Sequence, residues 1–450
     1  MSERGAKIAK EFESVSEYEA NMRETGYARY SYQELMDREA KMTPMIEGAS
    51  DVALFNSGAA AMHTALAAEG LRPGDRVVCA RSIFATTKKE IERLVESGIQ
   101  VTFIDTGDRE EVERIVRENN PRLFVAESIA NSTKMEMLDM AHLGAVVRDV
   151  NSSQQDVSPD EAFSKYASAR ERLSGVSQKT KERLLASIEE FRTGNNPFIF
   201  RDAISELMIE TSQNRSGAVR EVAKLVKYVL RESSRKKLSL LIDNTLPSPH
   251  LINPLKIIGG DVEKVIIESG TKHYQEGANE ITLGIAYSDD PAKVRALKEQ
   301  RIALGTYLQP SSENLMPNTI GERMPKIMES HARNALHLAE TFNRIPGCDV
   351  SHPNLPQHAN GELATQLAPQ GSVTLFYVTL PEGVPANEFM QQVKDVAGDR
   401  IGLGTSFGHS KTWLSNYGLD SRTVRVAAGS EPEEESHEVA SVFLRVLSGA

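Results

Sequence analysis

Short apolar segments alternate with longer helical segments along much of this 450-residue chain. The apolar segments lie at residues 77–79, 101–104, 123–126, 240–242 and 265–267. Stretches with helical spacing of charged and apolar residues lie between several of them. Strands that alternate with helices are typical of a parallel sheet whose crossover helices cover its faces. The pattern therefore predicts an α/β fold built on a mostly parallel sheet.

The pattern changes in the last third of the chain. A long helix is predicted across residues 329–338, and residues 373–378 are predicted to form a strand. We therefore divide the chain into three parts. They are an N-terminal arm (1–50), a large α/β domain (51–315) and a smaller α+β C-terminal domain (316–450).

The large domain is expected to contain a helical insertion at about residues 151–237. Two apolar stripes at helical spacing support this prediction. They comprise Leu184, Ile188 and Phe191, and then Val219, Val222, Val226 and Val229. Such stripes usually pack on the parent domain. A lid or an oligomer contact is the functional alternative for a long addition of this kind.

The main candidate for chemistry is Lys272, which follows an apolar segment in Glu268-Ser-Gly-Thr-Lys-His-Tyr274. The apolar residues of 262–267 predict a short buried strand. Lys272 would then leave a rigid element, and partial burial would lower the pKa of its amine and make it a nucleophile. Neighbouring hydroxyl groups could donate to a phosphate. This is what a Schiff-base lysine of pyridoxal phosphate (PLP) needs; a solvated loop lysine is the commoner alternative.

Two other segments have the composition of the same kind of site. Asp243 ends the predicted strand at 238–242, where a side chain points into the ligand crevice of an α/β protein. There it could keep a pyridine nitrogen protonated, although a turn or cap role is the commoner one for an Asp-Asn pair. The small residues of 56–62 connect a strand to an apolar helix, so that backbone N–H groups could close on a phosphate. The alternative there is a plain helix start.

Seven motifs, in order, resemble those of the Cys/Met-metabolism PLP enzymes of fold type I, the group of cystathionine γ-synthase, cystathionine lyases and methionine γ-lyase. They are Tyr27-Ala-Arg-Tyr30, Asn56-Ser-Gly58, Glu127-Ser-Ile-Ala-Asn131, Asp243-Asn-Thr245, Ser269-Gly-Thr-Lys272, Thr405-Ser-Phe-Gly408 and Val424-Arg-Val426. The resemblance runs from about Tyr27 to the C-terminus, interrupted by the insertion. It implies an aspartate aminotransferase-like fold, PLP as cofactor and an amino acid as substrate.

The resemblance also implies a role for each matching residue on the cofactor. Lys272 would bond covalently to PLP and then move protons between substrate carbons. Asp243 would pair with the pyridinium nitrogen, and Asn131 would hydrogen-bond the ring oxygen O3′. The remaining cofactor-binding residues, mostly around the phosphate, would be Ser57, Gly58, Ala59, Ser269 and Thr271.

Other matching residues imply the substrate contact and the assembly. Arg425 would grip the substrate α-carboxylate as a bidentate fork, with Ser406 beside it. Tyr27 and Arg29 look like the residues that reach the phosphate from a neighbouring subunit. The resemblance thus implies a homotetramer, a dimer of dimers with shared active sites.

The sequence departs from the family pattern mainly on the substrate side. Phe84 stands where the family has a tyrosine that stacks on the PLP ring. Stacking survives, because the aromatic face is kept, but the phenol that commonly serves as acid or base in γ-elimination is lost. Tyr32 is a candidate substitute phenol. Otherwise another group protonates the leaving group, or the leaving group needs no proton.

These features predict a PLP-dependent lyase or transferase that performs γ-elimination or γ-replacement on an L-amino acid. The γ-substituent would be a thiol, an acyl-oxy group or a halide. Chloride loss from a vinylic γ-chloro amino acid, giving an alkyne, fits Phe84. The alternatives are a β-lyase or racemase-like enzyme on the same scaffold and a degenerate homologue that binds a partner through the insertion. Lys272, Asp243 and Arg425 argue against the last.

Composition and charge limit which other classes of protein this chain could belong to. The net charge of −11 argues against a general nucleic-acid surface, which needs clustered Lys and Arg. No apolar run approaches the length of a membrane span, and residues 1–7 are charged without an apolar signal region, so we expect a cytoplasmic protein. The two cysteines, Cys79 and Cys348, are too few for a disulfide framework and lack metal-ligand spacing. We expect no metal.

Overall fold

The fold comes from a computed structural model, which describes residues 33–153, 159–168, 176–194, 201–211, 215–233, 237–277, 280–316 and 323–448. The chain divides into two compact units. The first comprises Met1–Val150 and Leu238–Ala450, and the second is Asn151–Lys237. Both sheets of the structure belong to the first unit, and the predicted domain boundary near residue 315 stays a prediction.

A seven-stranded sheet lies at the centre of the first unit. Its strands are β1 (Asp51–Phe55), β2 (Arg76–Ala80), β3 (Gln100–Ile104), β4 (Leu123–Glu127), β5 (Ser239–Asp243), β6 (Lys264–Ser269) and β7 (Gly284–Ser288). Their order is β1-β7-β6-β5-β4-β2-β3. Strand β7 runs antiparallel to β1 and β6, and the other neighbouring pairs are parallel. The predicted α/β class is confirmed.

The apolar strands are explained by cover on both faces of this sheet. In β4, Phe124 and Ala126 belong to one apolar cluster, and Leu123 and Val125 belong to another. Successive side chains of a strand point to opposite faces, so both faces of β4 are buried. Strands buried on both faces read as continuous apolar runs. Val262, predicted within the strand, is buried just before β6 begins.

Helices surround this sheet. They are Gln33–Met42, Gly58–Ala68, Ala85–Glu96, Arg109–Asn119, Met140–Ser153, Ser248–Leu251, Pro254–Ile258, Pro291–Leu304 and Pro310–Asn314, with a 3-10 turn at Thr43–Met45. The crossover helix Arg109–Asn119 shows how local sequence sets these bounds. Asp108 accepts from the backbone N–H groups of Glu110 and Glu111, which caps the helix, and Asn120 ends it in the left-handed conformation.

A second sheet of five strands follows. It contains β8 (Asp349–Ser351), β9 (Leu375–Thr379), β10 (Gly402–Leu403), β11 (Trp413–Ser415) and β12 (Thr423–Ala427), in the order β10-β11-β12-β9-β8. Only the β10–β11 pair is parallel. The accompanying helices are Met324–Asn343, Gly361–Leu367, Ala386–Ala397 and Glu433–Ser448, with a 3-10 turn at Gly398–Arg400. This sheet carries Arg425 on β12.

The second unit is helical, as the sequence predicts. Its described helices are Pro159–Ser168, Gln178–Gly194, Arg201–Thr211 and Arg215–Ser233. They bury an apolar cluster of their own that includes Leu184, Ile188, Val222, Val226 and Val229. The predicted stripes therefore pack against each other.

One residue of the predicted stripes, Val219, does not lie on the buried face of its helix. Val219 is 43% exposed, whereas Ala218 and Leu225 are buried. Successive residues of a helix lie 100° apart around its axis. A stripe assigned from valines alone therefore included the exposed Val219 in place of the buried Ala218. The Phe191 side chain lies outside the described residues.

The described residues contain no candidate membrane-spanning helix and no candidate metal-binding group. Among them no helix is both long and apolar enough to cross a bilayer, and no group of three or more His, Cys, Asp or Glu side chains could hold a metal ion. Cys79 and Cys348 are free thiols. Burial raises the pKa of the Cys79 thiol to about 12, which keeps it protonated and unreactive near neutral pH.

Candidate active site

A cavity of about 290 Å³ opens where β4, β5 and β6 end. All nine predicted cofactor-binding residues in the described part of the chain line it. They are Ser57, Gly58, Ala59, Phe84, Asn131, Asp243, Ser269, Thr271 and Lys272. The carboxyl ends of parallel strands are where α/β proteins bind ligands. Tyr27 and Arg29, and the substitute phenol Tyr32, lie outside the described residues.

Lys272 lies three residues after β6, and its amine is held toward the cavity. Its Nζ donates to Ser406 Oγ at 3.1 Å and lies 5.0 Å from the centroid of the Phe407 ring. Gly408 has a φ of +83°, and a side chain there would collide with the backbone of Lys272. Burial lowers the pKa of Lys272, and the positive charge of Arg425 lowers it further. A larger neutral fraction makes the amine a better base and nucleophile.

Two carboxyl groups lie side by side at the strand ends: Glu127 is buried, and Asp243 is half-buried at the cavity wall. Glu127 and Asp243 are direct neighbours in the β4–β5 register. One oxygen of Asp243 accepts from the Thr245 N–H at 2.9 Å, so the predicted turn role is also filled. Burial raises the pKa of Asp243, and within the described residues no cation forms an ion pair with it. A half-buried carboxylate without a cationic partner suits a pyridinium nitrogen, whose positive charge would stabilise it.

Glu127 organises the residues around it. It accepts from the Phe84 N–H at 2.6 Å and from the Asn131 N–H at 3.0 Å. Burial, and then the charge of Asp243, raise the pKa of Glu127 to about 8, although these two bonds oppose the rise. One carboxyl group thus positions both the aromatic residue and the amide residue of the predicted cofactor site.

A helix N-terminus forms the opposite end of the cavity. Ser57 caps the Gly58–Ala68 helix by accepting from the Ala60 N–H at 3.1 Å. The first N–H groups of a helix have no partner within it and carry a partial positive charge. A side chain at Gly58 would stand 3.0 Å from the Ser269 Cβ, and one at Gly284 would collide with the Ser57 carbonyl. Position 284 admits only glycine, and the close approach of the two segments makes a cradle for a phosphate.

The loop before Lys272 is braced from both sides of this cradle. The Ser269 N–H donates to Thr245 Oγ1 at 2.8 Å. Thr271 Oγ1 accepts from the Leu283 N–H at 3.0 Å. The two hydroxyl residues are thus held at the cavity wall, and the described lining fits the phosphate, ring nitrogen and lysine linkage of PLP.

Arg425 lies in an adjoining recess and retains an unused donor. Its Nη2 donates to the Thr405 carbonyl, whereas its buried Nε has no hydrogen-bond partner among the described residues. An unpaired buried donor costs free energy that an acceptor would recover. A carboxylate fits a guanidinium fork. Ser406 follows Thr405 directly but accepts from Lys272 in this structure.

The recess also contains Tyr377, which the sequence interpretation missed. Its hydroxyl donates to Asn131 Oδ1 at 2.8 Å. Antiparallel pairing places Tyr377 opposite Arg425. No motif marks this tyrosine. Two neighbours of Lys272 were also missed: the Phe407 ring, and His273, which is buried against that ring at a centroid distance of 5.5 Å.

The chain matches the family described as Cys/Met metabolism PLP-dependent enzyme over residues 9–164 and 193–439. The chain belongs to this family. Its cofactor is PLP, in agreement with the cradle, the Asp243 carboxylate and the lysine described above. The match includes the segment containing Tyr27 and Arg29, whose roles toward a neighbouring subunit stay predictions.

Characterised relatives include both γ- and β-lyases. The chain is 26% identical over 181 residues to a cystathionine gamma-lyase from Dictyostelium discoideum, covering 40% of this chain and 44% of that protein. It is 27% identical over 173 residues to a cystathionine beta-lyase from Neurospora crassa, covering 38% and 36%. The aligned segments span less than half of these relatives.

A solved structure shares the fold along nearly the whole chain. The cystathionine gamma-lyase from Lactobacillus plantarum superposes with a TM-score of 0.65 at 15% identity, covering 94% of this chain and 88% of that one. The predicted PLP fold type I is therefore confirmed. At this identity the similarity concerns the fold alone.

Proposed function

We propose that this chain is a PLP-dependent lyase that eliminates a γ-substituent from an L-amino acid. One observation carries the proposal. The Lys272 amine, the Asp243 carboxylate and the Gly58–Ala68 helix N-terminus line one cavity, and Arg425 is near enough for its charge to lower the pKa of Lys272. These are the groups needed to hold a cofactor, move protons and hold a substrate carboxylate.

When bound, PLP supplies an electron-withdrawing ring that acidifies substrate C–H bonds. Gly58 and Ala59, with the nearby hydroxyl groups, would hold its phosphate at the helix N-terminus. Asp243 would keep the ring nitrogen protonated, and Phe84 would cover a ring face. The polar groups of the cavity would thus contact both ends of the cofactor, the phosphate and the ring nitrogen.

Lys272 would serve as the proton carrier. Its amine would leave Ser406, accept the substrate Cα proton and later return a proton to the carbon chain. The lowered pKa of Lys272 favours this work, because a base is most effective when its pKa lies near the working pH. Arg425 would hold the carboxylate with its unused Nε donor, which fixes the Cα–H bond relative to the amine.

Phe84 affects which leaving group can depart, because it lacks the phenol proton of the family tyrosine. In the described lining of the cavity no side chain is a tyrosine, histidine or cysteine; Lys272 is assigned to proton transfer at the substrate carbons, and the carboxyl groups present are Glu127 and Asp243. Both are assigned to the cofactor side. We infer that the preferred leaving group departs without a proton. Chloride from a vinylic γ-chloro amino acid satisfies this condition; net loss of HCl would give an alkyne amino acid.

The test is a substrate panel. Pure protein reconstituted with PLP would be incubated with γ-chloro, γ-thio and γ-acyloxy amino acids, and products would be identified by mass spectrometry. We expect turnover of γ-substituted substrates with the chloride fastest. Capture of an added nucleophile at Cγ would assign γ-replacement instead.

A β-lyase is the second candidate, because the β-lyase from Neurospora crassa matches this chain as well as the γ-lyase does. The panel would therefore include β-chloroalanine and cystathionine. Turnover of β-substituted compounds alone would reject the γ-lyase proposal.

A further inference from the structure

The hydroxyl of Tyr377 lies between two residues that the proposed function gives different tasks. It donates to Asn131 Oδ1 at 2.8 Å, and it lies 3.4 Å from the Asn131 carbonyl oxygen. Strand β9 pairs with β12 so that Tyr377 is opposite Arg425. Tyr377 is 6% exposed, so these contacts form away from bulk water.

The direction of these bonds follows from the donor inventory. Arginine has only donors, and a phenol has one proton. Burial raises the pKa of the Tyr377 phenol, and the positive charge of Arg425 opposes that rise. The phenol proton goes to Asn131, because the Asn131 Oδ1 at 2.8 Å can only accept. The Asn131 oxygen is committed to Tyr377, and the amide nitrogen is the group left for the cavity.

We propose that Tyr377 is a positioning residue that sets the orientation of the Asn131 amide, so that its N–H faces the phenolic oxygen of bound PLP. This inference rests on the proposed function. An N–H donor stabilises the ionised form of that oxygen, whereas a carbonyl turned toward it would repel the charge. The Tyr377 hydroxyl thus controls the cofactor from a strand of the other sheet.

The test is the pH dependence of the visible absorption of the holoenzyme. Tyr377→Phe removes the hydroxyl but keeps the ring in place. The Asn131 amide is then free to turn, and the midpoint pH of the absorption change should rise by about half a unit to one unit, the size expected of one hydrogen bond. An unchanged midpoint in a folded, PLP-loaded variant would overturn the inference.

Thr379→Val is the matched control. Thr379 lies two residues along the same strand, and its hydroxyl lies 3.1 Å from the Thr423 hydroxyl. The Thr379→Val variant loses one side-chain hydrogen bond, as Tyr377→Phe does, but the lost bond joins two strands and does not involve Asn131. Its midpoint should equal that of the unaltered protein, and an equal rise in both variants would show a general effect of loosening the strands and contradict the inference.

A double variant separates positioning from structural support. In an Asn131→Ala background, Tyr377→Phe should shift the midpoint no further, because the group it orients is gone. Additive shifts would overturn the inference. If Tyr377→Phe does not fold, Asn131→Asp answers the question, since it puts an acceptor on both sides of the side chain and should raise the midpoint with Tyr377 intact. An unchanged midpoint there would contradict the inference.

The proposed function has its own outcome in the same experiment. A protein without a visible PLP band and without borohydride labelling of Lys272 would reject both proposals. A normal band and label, with identical midpoints in Tyr377→Phe and the unaltered protein, would reject the Tyr377 inference alone.

Discussion

The residues on the two sides of the candidate active site come from different parts of the fold. The cofactor side comprises Ser57, Gly58, Asp243, Ser269 and Lys272, and each lies at or within three residues of the end of a strand or the start of a helix in the seven-stranded layer. Their positions depend on short local segments. The family motifs are kept nearly intact here.

The proposed substrate side comprises Phe407, which lines the cavity, with Ser406, Tyr377 and Arg425 beside it; Phe84 would serve both sides, covering the cofactor ring and meeting the leaving group. Arg425 and Tyr377 come from paired strands of the second sheet, and Ser406 and Phe407 come from a loop between β10 and β11. Here the family tyrosine is replaced by Phe84. We propose that the cofactor chemistry of the family is kept in this chain, whereas the choice of substrate has diverged. Variants on the two sides should therefore differ in kind.

The largest effect is expected on the cofactor side, at Lys272. Lys272→Ala should lower kcat by about 10³-fold or more, because both the covalent linkage and the proton carrier are lost. Borohydride reduction followed by peptide mass spectrometry should place the label on Lys272. Lys326→Ala, at an exposed site on the Met324–Asn343 helix, is the control and should keep both properties. Label on another lysine would contradict the assignment.

Asp243→Asn should have the next largest effect. The ring nitrogen would lose its counter-charge, and we expect kcat to fall about 10²-fold, the usual order for loss of one preorganised electrostatic group. Turnover and PLP content would be measured together. Asp290→Asn, at the cap of the Pro291–Leu304 helix, keeps its capping bond and should be neutral. Unchanged turnover in Asp243→Asn would remove this carboxylate from the mechanism.

On the substrate side, Arg425→Lys should change binding and leave the cofactor in place. An ammonium cannot reproduce the planar fork, so we expect KM to rise about tenfold with PLP content unchanged. Steady-state kinetics and cofactor absorbance would measure the two quantities. Arg422→Lys, at an exposed position three residues earlier, is the matched control. Loss of PLP from the Arg425 variant would erase the division between the two sides.

The smallest effect is expected from Phe84→Tyr, which restores the family phenol. It should accelerate substrates whose leaving group needs a proton, such as a thiol, by several-fold, because a general acid becomes available. The chloride substrate should be little affected. The comparison is the ratio of kcat/KM for the two substrates in each protein. Equal acceleration of both would refute the interpretation of Phe84.

Much of the fold and of the cofactor side could be predicted from the sequence. Apolar runs locate strands because burial on both faces demands them, and Lys272, Asp243 and the Gly58 turn follow directly from strand ends. The Val219 error has a physical cause as well, since only packing decides which edge of an apolar stripe is covered. The separate core of the 151–237 unit likewise depended on four helices meeting.

What the sequence by itself determined is the order of local elements and the chemistry placed at their ends, because hydrogen bonding and apolar periodicity act over a few residues. What only the tertiary structure decided is the set of contacts between distant segments. Tyr377 and Asn131 are 246 residues apart and meet through a hydrogen bond, and Lys272 meets Ser406 across 134 residues. Such pairs depend on strand register and on how loops pack, which are set by the whole folded chain.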